Sequence, residues 1–296
     1  GETFFFISGT YQINNKKEKI LISLKKGEKK IIKRNNKLYK KFSDHIGAIP
    51  LVIISPDDRN LIIEGSETRR KFIDGIICQI NKEYLNTLIN YNKTLKQRNA
   101  LLKMFYGDSE NIKKTIDIYD NHLSLNAQKI FKRRTEFLSD FIPIFKIRYK
   151  QLSDNKENVD IIHKTDISES QSLYKLLKNN LEKDLRFQFT TKGIHKDDLT
   201  FSINSFSVKK YGSQGQQKTF LIALKLAQFD YLSRLNSNPI LLLDDIFDKL
   251  DDNRVKQIIN LVNEEKFNQI FISDTNKIRS ENIIKKVNKS YKIFEI

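Results

Sequence analysis

Residues 211–251 read YGSQGQQKTFLIALKLAQFDYLSRLNSNPILLLDDIFDKLD, and this stretch decides the fold. A short polar segment at 213–216 predicts the start of a helix that continues from about 217 to 235. Residues 240–243 form an apolar run after Pro239, which is typical of a strand buried on both faces of a parallel sheet. A helix followed by such a strand predicts an α/β fold.

The start of this helix is suited to a phosphate group. Its first backbone N–H groups have no partner within the helix, and the helix dipole is positive there. Gly215 lets the backbone approach a ligand closely, and Ser213 adds a hydroxyl donor. Residues 213–216 are therefore candidate phosphate contacts.

Asp244 and Asp245 follow the predicted strand directly, at the end where α/β sheets place their ligands. The first carboxylate can hold a magnesium ion, and the second can orient or deprotonate an attacking water. Two aspartates after a strand, taken alone, are more often a loop that caps the next helix. The segment at 213–217 before them and K-L-D at 249–251 after them favour a nucleotide site.

The order of these motifs resembles the signature, Walker B and D-loop series of ABC-type ATPase heads. The form S-Q-G-Q-Q with D-D is similar to that of the RecF family of bacterial recombination mediators. Further blocks resemble the same family in the same order, and the resemblance covers the chain from about residue 4 to its end. They are S-P-D-D at 55–58, E-G-S-E-T-R-R-K-F-I-D at 64–74, L-K-Q-R-N-A-L-L at 95–102 and G-I-H-K-D-D-L at 193–199.

The resemblance implies an α/β ABC-type ATPase head with a mixed-sheet lobe and an inserted helical lobe. We expect an N-terminal β-rich part of the ATPase lobe at 1–65, the helical lobe at 66–185, and the rest of the ATPase lobe at 186–296. The predicted helices begin at about 66, 82 and 112 and after Asp166, with Ser66 as an N-cap. Pro143 is expected to kink or break the third helix. Strands are expected at 3–7, 20–24, 30–34, 49–54, 186–190, 200–208 and 268–273, and a further helix at 253–263.

The resemblance also implies ATP and Mg²⁺ as cofactors of a site shared by two subunits. One subunit would hold ATP, and the signature of the other would reach its γ-phosphate, so that ATP drives homodimerisation. In this reading Asp244 serves the magnesium ion and Asp245 acts catalytically on the water. Ser213, Gln214, Gly215 and Gln216 contact the ATP of the partner, and Asp251 belongs to the D-loop.

The function that the resemblance implies is DNA binding at single-strand gaps and their junctions with duplex. It also implies cooperation with RecO and RecR to load the recombinase RecA, in the cytoplasm and away from membranes. Two alternatives stay open at this point. One is an SMC-like or overcoming-lysogenization-type (OLD) head with a structural or nuclease role, and the other is a DNA-binding fragment without ATPase activity.

The sequence contains no G-x-x-x-x-G-K-[ST] loop and begins with glycine. RecF-like proteins have that Walker A loop near the N-terminus, so we expect a first segment to be missing from this chain. Residues 1–296 alone should then bind ATP weakly or not at all. The complete protein would be a weak DNA-dependent ATPase.

Composition agrees with a nucleic-acid partner, since the formal net charge is +17 and the pI is about 9.6. Lysine-rich bias weakens the argument, because phosphate recognition favours arginine. Lysines between 25 and 33 are interpreted as a solvated strand edge rather than a DNA contact. Cys78 is interpreted as a core residue, and His195 receives no chemical role. The candidate DNA contacts are Arg69, Arg70, Lys132, Arg133 and Arg134, of which the last three are expected on an exposed helix face.

Overall fold

The computed structural model describes residues 2–13, 15–104, 110–168, 171–235, 238–245, 260, 263, 267–276, 278, 281–282, 285 and 290–295, without the side chains of 110–112. The chain divides into two compact units, Gly1–Ile49 and Pro50–Ile296. No helix in the described ranges is both long enough and apolar enough to cross a membrane.

The first unit is an antiparallel sheet in the order β1-β2-β3-β4. Ile20 and Ile32 are buried on one of its faces. Asn35 and Asn36 form the turn between β3 and β4, and both have the positive φ that a tight hairpin turn of this kind requires. The strands are β1 (Phe4–Ile13), β2 (Lys16–Lys25), β3 (Ile31–Arg34) and β4 (Lys37–Leu38), and a 3₁₀ turn follows at Phe42–Asp44.

The second unit contains a parallel sheet made of β5 (Leu51–Ile54), β9 (Ile240–Asp244) and β10 (Ile270–Ser273), with β9 in the middle. This confirms the buried parallel strand predicted at 240–243. The long helix α8 (Gln214–Arg234) packs against β5. The sheet buries Val52, Ile54, Leu241 and Leu243.

Helices make up most of the remainder of the second unit. The longest, α4, packs against both α3 and α8. The helix predicted from residue 82 is confirmed with its bounds at 82 and 104. The helices are α1 (Asn60–Ile63), α2 (Ser66–Ile80), α3 (Lys82–Met104), α4 (Glu110–Leu152), α5 (Leu173–Asn179), α6 (Leu181–Phe187) and α7 (Val208–Tyr211), with 3₁₀ turns at Pro56–Arg59 and Ile194–Lys196.

An antiparallel sheet of β6 (Val159–Lys164), β7 (Asp198–Ile203) and β8 (Phe206–Ser207) completes the unit. The strand predicted at 186–190 is wrong, because α6 runs to Phe187 and Gln188 ends it in the left-handed conformation. The alternating letters R-F-Q-F-T favour a strand locally. Buried Asp184 overrides this tendency, since its carboxylate accepts from Arg98 and from Thr191 within the helical fold.

Two further expectations differ from the structure, and a third falls on residues that are not described. Helix α4 is continuous through Pro143, so the predicted break does not occur. Phe141, Ile144 and Phe145 beside the proline are buried. This packing offsets the backbone hydrogen bond that the proline removes. Gly65, not Ser66, is the N-cap of α2. The predicted helix at 253–263 lies almost entirely outside the described residues.

Candidate functional site

The carboxyl edge of the parallel sheet brings three polar residues side by side. Asp244 is opposite Ser273 in the register of β9 and β10, and the Ser273 hydroxyl donates to Asp244 Oδ1 at 2.5 Å. On the other side Ile54 is opposite Leu243, so Ser55 follows at the same edge. Asp244 is exposed, as a ligand site requires.

Asp245 turns the chain out of the strand. Its φ is +46°, and its backbone N–H donates to the Ser273 carbonyl at 3.0 Å. A left-handed conformation costs a non-glycine residue about 1 kcal/mol or more, although aspartate tolerates it better than most. Such conformations cluster at functional sites. The strain at Asp245 is therefore consistent with the predicted site at this edge.

Ser213 is the N-cap of α8, as the sequence predicts. Its hydroxyl accepts from the Gln216 backbone N–H at 3.1 Å, and its own N–H donates to Gln216 Oε1 at 2.8 Å. This reciprocal capping box fixes the helix start. Ser213 and Gln214 are exposed and Gly215 is half-buried, so the first turn is open to a ligand.

Glu157, which lies outside α8, accepts hydrogen bonds that hold the start of this helix in place. The sequence did not predict this role. Gln216 Nε2 donates to Glu157 Oε1 at 2.7 Å, and the Tyr149 hydroxyl donates to Glu157 Oε2. Tyr149 lies near the end of α4, so the glutamate joins α4 to the signature. No local motif marks Glu157, which is far from Gln216 along the chain.

Lys225, in the middle of α8, marks where this helix contacts the segment after β5. It pairs with Asp58 at 2.6 Å, and Asp58 also accepts from the Ser55 N–H. Ser213 lies twelve positions before Lys225. The start of α8 is therefore about 18 Å along the helix axis from the residue that pairs with Asp58.

The structure fits ATP and Mg²⁺ at these two places in chemical type. Magnesium is usually held by one or two carboxylates together with phosphates, and Asp244 offers an exposed carboxylate. Open N–H groups at a helix start suit a phosphate, and the first turn of α8 provides them. In the described ranges no three His, Cys, Asp or Glu side chains form a group that could hold a metal ion. Asp251 lies outside the described residues.

The placement of Arg134 on an exposed face is wrong. Its side chain is 1% exposed, and the guanidinium donates to Asp74, Asp197 and the Ile194 carbonyl. The helix position explains this, because residue 134 lies four after Ile130 and three before Phe137, both of which are buried. A guanidinium bonded in this way is not accessible to DNA.

Arg69 and Arg70 are also engaged within the protein. Arg69 is buried and donates to Asp198 at 2.7 Å and to the carbonyls of Leu61 and Glu64. Arg70 Nη1 donates to the Asp197 carbonyl at 2.6 Å. A DNA-binding role for either residue stays a prediction, and the contacts indicate a structural role in joining α2 to β7.

Lys132 and Arg133 are exposed, as predicted. They line a cleft of about 270 Å³ between α3 and α4, in which Arg133 pairs with Glu136 at 2.8 Å. Glutamates in the cleft offset part of the positive charge. Its lining residues are Asn81, Glu83, Tyr84, Thr87, Lys129, Lys132, Arg133 and Glu136.

The block at 95–102 contributes Arg98 to a buried ionic junction. Arg98, fully buried, donates to Asp120 at 2.5 Å, to Asp184 at 2.7 Å and to Thr190 at 2.9 Å. This joins α3 to α4 and to α6. Breaking a buried pair of this kind costs about 3–5 kcal/mol, because it leaves a charge unpaired in the interior.

His195 and Cys78 are structural. His195 Nε2 lies 3.0 Å from the Thr190 carbonyl and must donate to it, so Nδ1 accepts from the Tyr91 hydroxyl at 2.8 Å. Burial lowers the pKa of His195 to about 4. Burial also raises the pKa of the Cys78 thiol to about 12, which makes it unreactive. The prediction of Cys78 as a core residue is confirmed.

No protein-family model matches the chain. Individual proteins are similar to it over nearly its whole length. The chain is 52% identical to the DNA replication and repair protein RecF of Flavobacterium johnsoniae, over 100% of this chain and 82% of that protein. Identity to the protein of the same name from Phocaeicola vulgatus is 45%, over 99% of this chain and 79% of the other.

A solved structure of the recombination mediator protein RecF with ATP, of the RecFOR pathway, has the same fold. It superposes with a TM-score of 0.81 at 31% identity, over 93% of this chain and 76% of that one. The predicted fold class, a mixed helix-and-sheet ABC-type ATPase head, is thereby confirmed. Because the chain shares this fold and is 52% identical to the Flavobacterium protein over its whole length, it belongs to the RecF family of DNA replication and repair proteins.

Proposed function

We propose that this protein, at its natural length, is an ATP-dependent DNA-binding protein that acts at single-strand gaps in recombinational repair. Together with RecO and RecR it would promote loading of RecA. Two observations support the proposal: the RecF relatives are named for DNA replication and repair, and a similar structure is of a RecF with ATP in the RecFOR pathway. The cytoplasm is the proposed place of action.

The ATP-dependent step depends most on the position of the signature at the start of α8. Ser213 lies about 18 Å along α8 from Lys225, which pairs with Asp58 in the segment after β5. In this proposal a γ-phosphate bound at the sheet edge of one subunit meets the signature of a second copy. Bound ATP with magnesium would supply the contact that joins two heads and the free energy released on hydrolysis.

Each residue has a role in this proposal. Asp244 would hold the magnesium ion and Asp245 would orient or deprotonate the water. Ser213, Gln214, Gly215 and Gln216 would line the contact with the partner's γ-phosphate at the first turn of α8. The Gln216 N–H already donates to the Ser213 hydroxyl, so the N–H groups of Gln214 and Gly215 would be the main donors. Asp251 would contribute as the D-loop residue. Asp245 is one methylene shorter than a glutamate, so slow hydrolysis is expected.

The first test replaces Asp245 with asparagine in the natural-length gene product. Asparagine tolerates the left-handed backbone, so the fold is kept while the base is lost. We expect ATP binding and ATP-driven dimerisation to persist and turnover to fall about 10²-fold or more. Sedimentation and phosphate release measure the two effects.

A matched control is Asp154→Asn, because Asp154 is an exposed aspartate with a positive φ of 51° in a loop after α4. It should leave turnover unchanged. If Asp245→Asn hydrolyses ATP at the rate of the unmodified protein, Asp245 has no part in the reaction. If the unmodified protein stays monomeric with ATP, the proposed dimerisation is wrong.

A further inference from the structure

The sheet of the first unit has one open face on which lysines are concentrated. Side chains alternate between faces along a strand, and residues paired in register share a face. On β2 this places Lys17, Lys19 and Lys25 together, and Lys33 of β3 joins them because it is opposite Leu21. All four lysines are exposed.

The opposite face has a different chemistry. It contains buried Ile20 and Ile32. Glu18, the one acidic residue within β1, β2 and β3, is also on that face and pairs with Arg34 at 2.9 Å. The open face of these strands therefore has positive charge without an acidic side chain of the same strands to offset it.

Two exposed aromatic rings lie on the same open face. Phe4 is opposite Lys25 and Phe6 is opposite Ser23, so both share the face of the lysines. Their side chains are 50% and 62% exposed, and the ring centroids are 6.3 Å apart. Phe5 and Ile7 on the other face of β1 are also exposed, so it is the position of Phe4 and Phe6 beside lysines that suits stacking with flat ligands.

Protection of a sheet edge does not explain every lysine of this face. Lysines protect edge strands from pairing with other chains. Lys33 lies on β3, which pairs with β2 on one side and β4 on the other, so the interpretation as a solvated edge does not fit it. Lys17 and Lys25 lie on parts of β2 that do not pair with β3, and for Lys25 the edge interpretation stays a prediction.

We propose that this open face binds a single strand of nucleic acid, with Lys17, Lys19 and Lys33 contacting backbone phosphates and Phe4 and Phe6 stacking on bases. The inference rests on the proposed function as a DNA-binding protein and adds the surface and the form of the ligand. Rings can stack only on bases that are unpaired, because a duplex hides the base faces. Alternate side chains on β2 recur about every 7 Å, so the lysines follow an extended backbone.

The test of the lysines uses the natural-length gene product and fluorescence anisotropy with a labelled oligo-dT. The triple variant is Lys17→Gln, Lys19→Gln and Lys33→Gln; Lys25 is left out because it pairs with Glu28 at 2.7 Å. Three lost phosphate contacts should reduce the slope of log affinity against log salt by about 2 and weaken binding about a hundredfold at 0.1 M salt. The matched control replaces exposed Lys93, Lys96 and Lys103 of α3 by glutamine.

The test of the rings is the double variant Phe4→Ala and Phe6→Ala. Loss of stacking should weaken oligo-dT binding at least about tenfold, with an unchanged salt slope and unchanged affinity for a duplex of the same length. Phe5→Ala is the control, because Phe5 is 49% exposed on the other face of the same strand.

Four outcomes decide the inference. It is supported if the lysine and ring variants lose oligo-dT affinity as described and both controls do not. It is overturned if the lysine variant binds oligo-dT like its α3 control. It is also overturned if the lysine variant loses duplex affinity while the ring variant changes nothing, since the face would then take a duplex. If the unmodified protein binds neither DNA, the proposed function itself fails, which is a distinguishable result.

Discussion

At the scale of single residues, the buried histidine gives the clearest link between structure and solution behaviour. His195 is neutral because burial lowers its pKa to about 4 from the usual 6.5, with Lys196 and Arg70 acting in the same direction and the bond to the Thr190 carbonyl acting against it. Its Nε2 donates to the Thr190 carbonyl, and its Nδ1 accepts from the Tyr91 hydroxyl. The unfolded chain therefore binds a proton at a pH where the folded chain does not.

This difference predicts a pH dependence of stability. A depressed histidine pKa means that the full stabilising contribution is present above about pH 6.5 and is lost as the pH falls towards 4. Between pH 7 and pH 5 the free energy of unfolding should fall by about 2 kcal/mol through this group. His195→Gln should flatten that part of the profile, since glutamine can still donate to Thr190 but does not titrate.

Urea unfolding at pH 7 and pH 5 measures the effect. The control is His122→Gln, because His122 is an exposed residue of α4. That variant should keep the pH dependence of the unmodified protein. If the unmodified protein and His195→Gln lose the same stability between pH 7 and pH 5, His195 is not the group that causes the pH dependence.

At the scale of elements, the predictions succeed where the periodicity is long and fail where a tertiary contact decides. The helix at 82–104 and the buried strand at 240–243 have strong patterns and are confirmed. The strand β6 at 159–164 was missed, although V-D-I-I-H-K partly alternates, because it lies inside a segment interpreted as helical. Its partner β7 is far along the chain, and single-sequence patterns do not contain pairings of that kind.

The junction between α4 and the signature helix leads to a prediction at the same scale. Glu157 accepts from Gln216 and from Tyr149, so it orients the side chain that caps α8. Glu157→Ala removes both acceptors at a half-buried site and should cost about 1–2 kcal/mol of stability. It should also weaken ATP-driven dimerisation by at least about fivefold, while ATP binding by the monomer is unchanged.

Sedimentation with ATP and nucleotide titration on the same samples separate these effects. Glu157→Gln should restore part of the dimerisation, because its amide oxygen can still accept from Gln216. Glu182→Ala, at an exposed position of α6, is the control. If Glu157→Ala loses stability but dimerises normally, the glutamate only supports the fold and does not position the signature.

At the scale of the whole molecule, the sequence predicts the candidate nucleotide-site residues but not the buried side chains that hold the surrounding elements together. Ser213 and Asp244 are placed by local rules, because a helix start and a strand end can be read from a few letters. Arg134, Glu157 and the junction around Arg98 depend on side chains that are far apart in sequence. The charge excess of +17 indicated a polyanion, but strand register was needed to show where lysines gather.

The proposed assembly of two copies predicts a strong effect of side-chain size at Ser213. Ser213 opens the helix whose N–H groups would face the partner's γ-phosphate, at a contact where a large side chain would keep the two subunits apart. Ser213→Arg should leave each subunit able to bind ATP and should abolish ATP-driven dimerisation, because the bulk of arginine holds the heads apart. Loss of the cap to Gln216 adds about 1 kcal/mol of destabilisation.

Ser213→Ala separates bulk from capping, since alanine loses the same cap but stays small. We expect the alanine variant to share the modest loss of stability and still to dimerise with ATP, more weakly than the unmodified protein. Sedimentation with and without ATP, beside nucleotide binding on the same sample, measures both properties. An arginine variant that dimerises would show that the signature does not contact the partner's phosphate, and one that loses ATP binding as a monomer would place the motif in its own subunit's site. Either result would contradict the proposed two-subunit site.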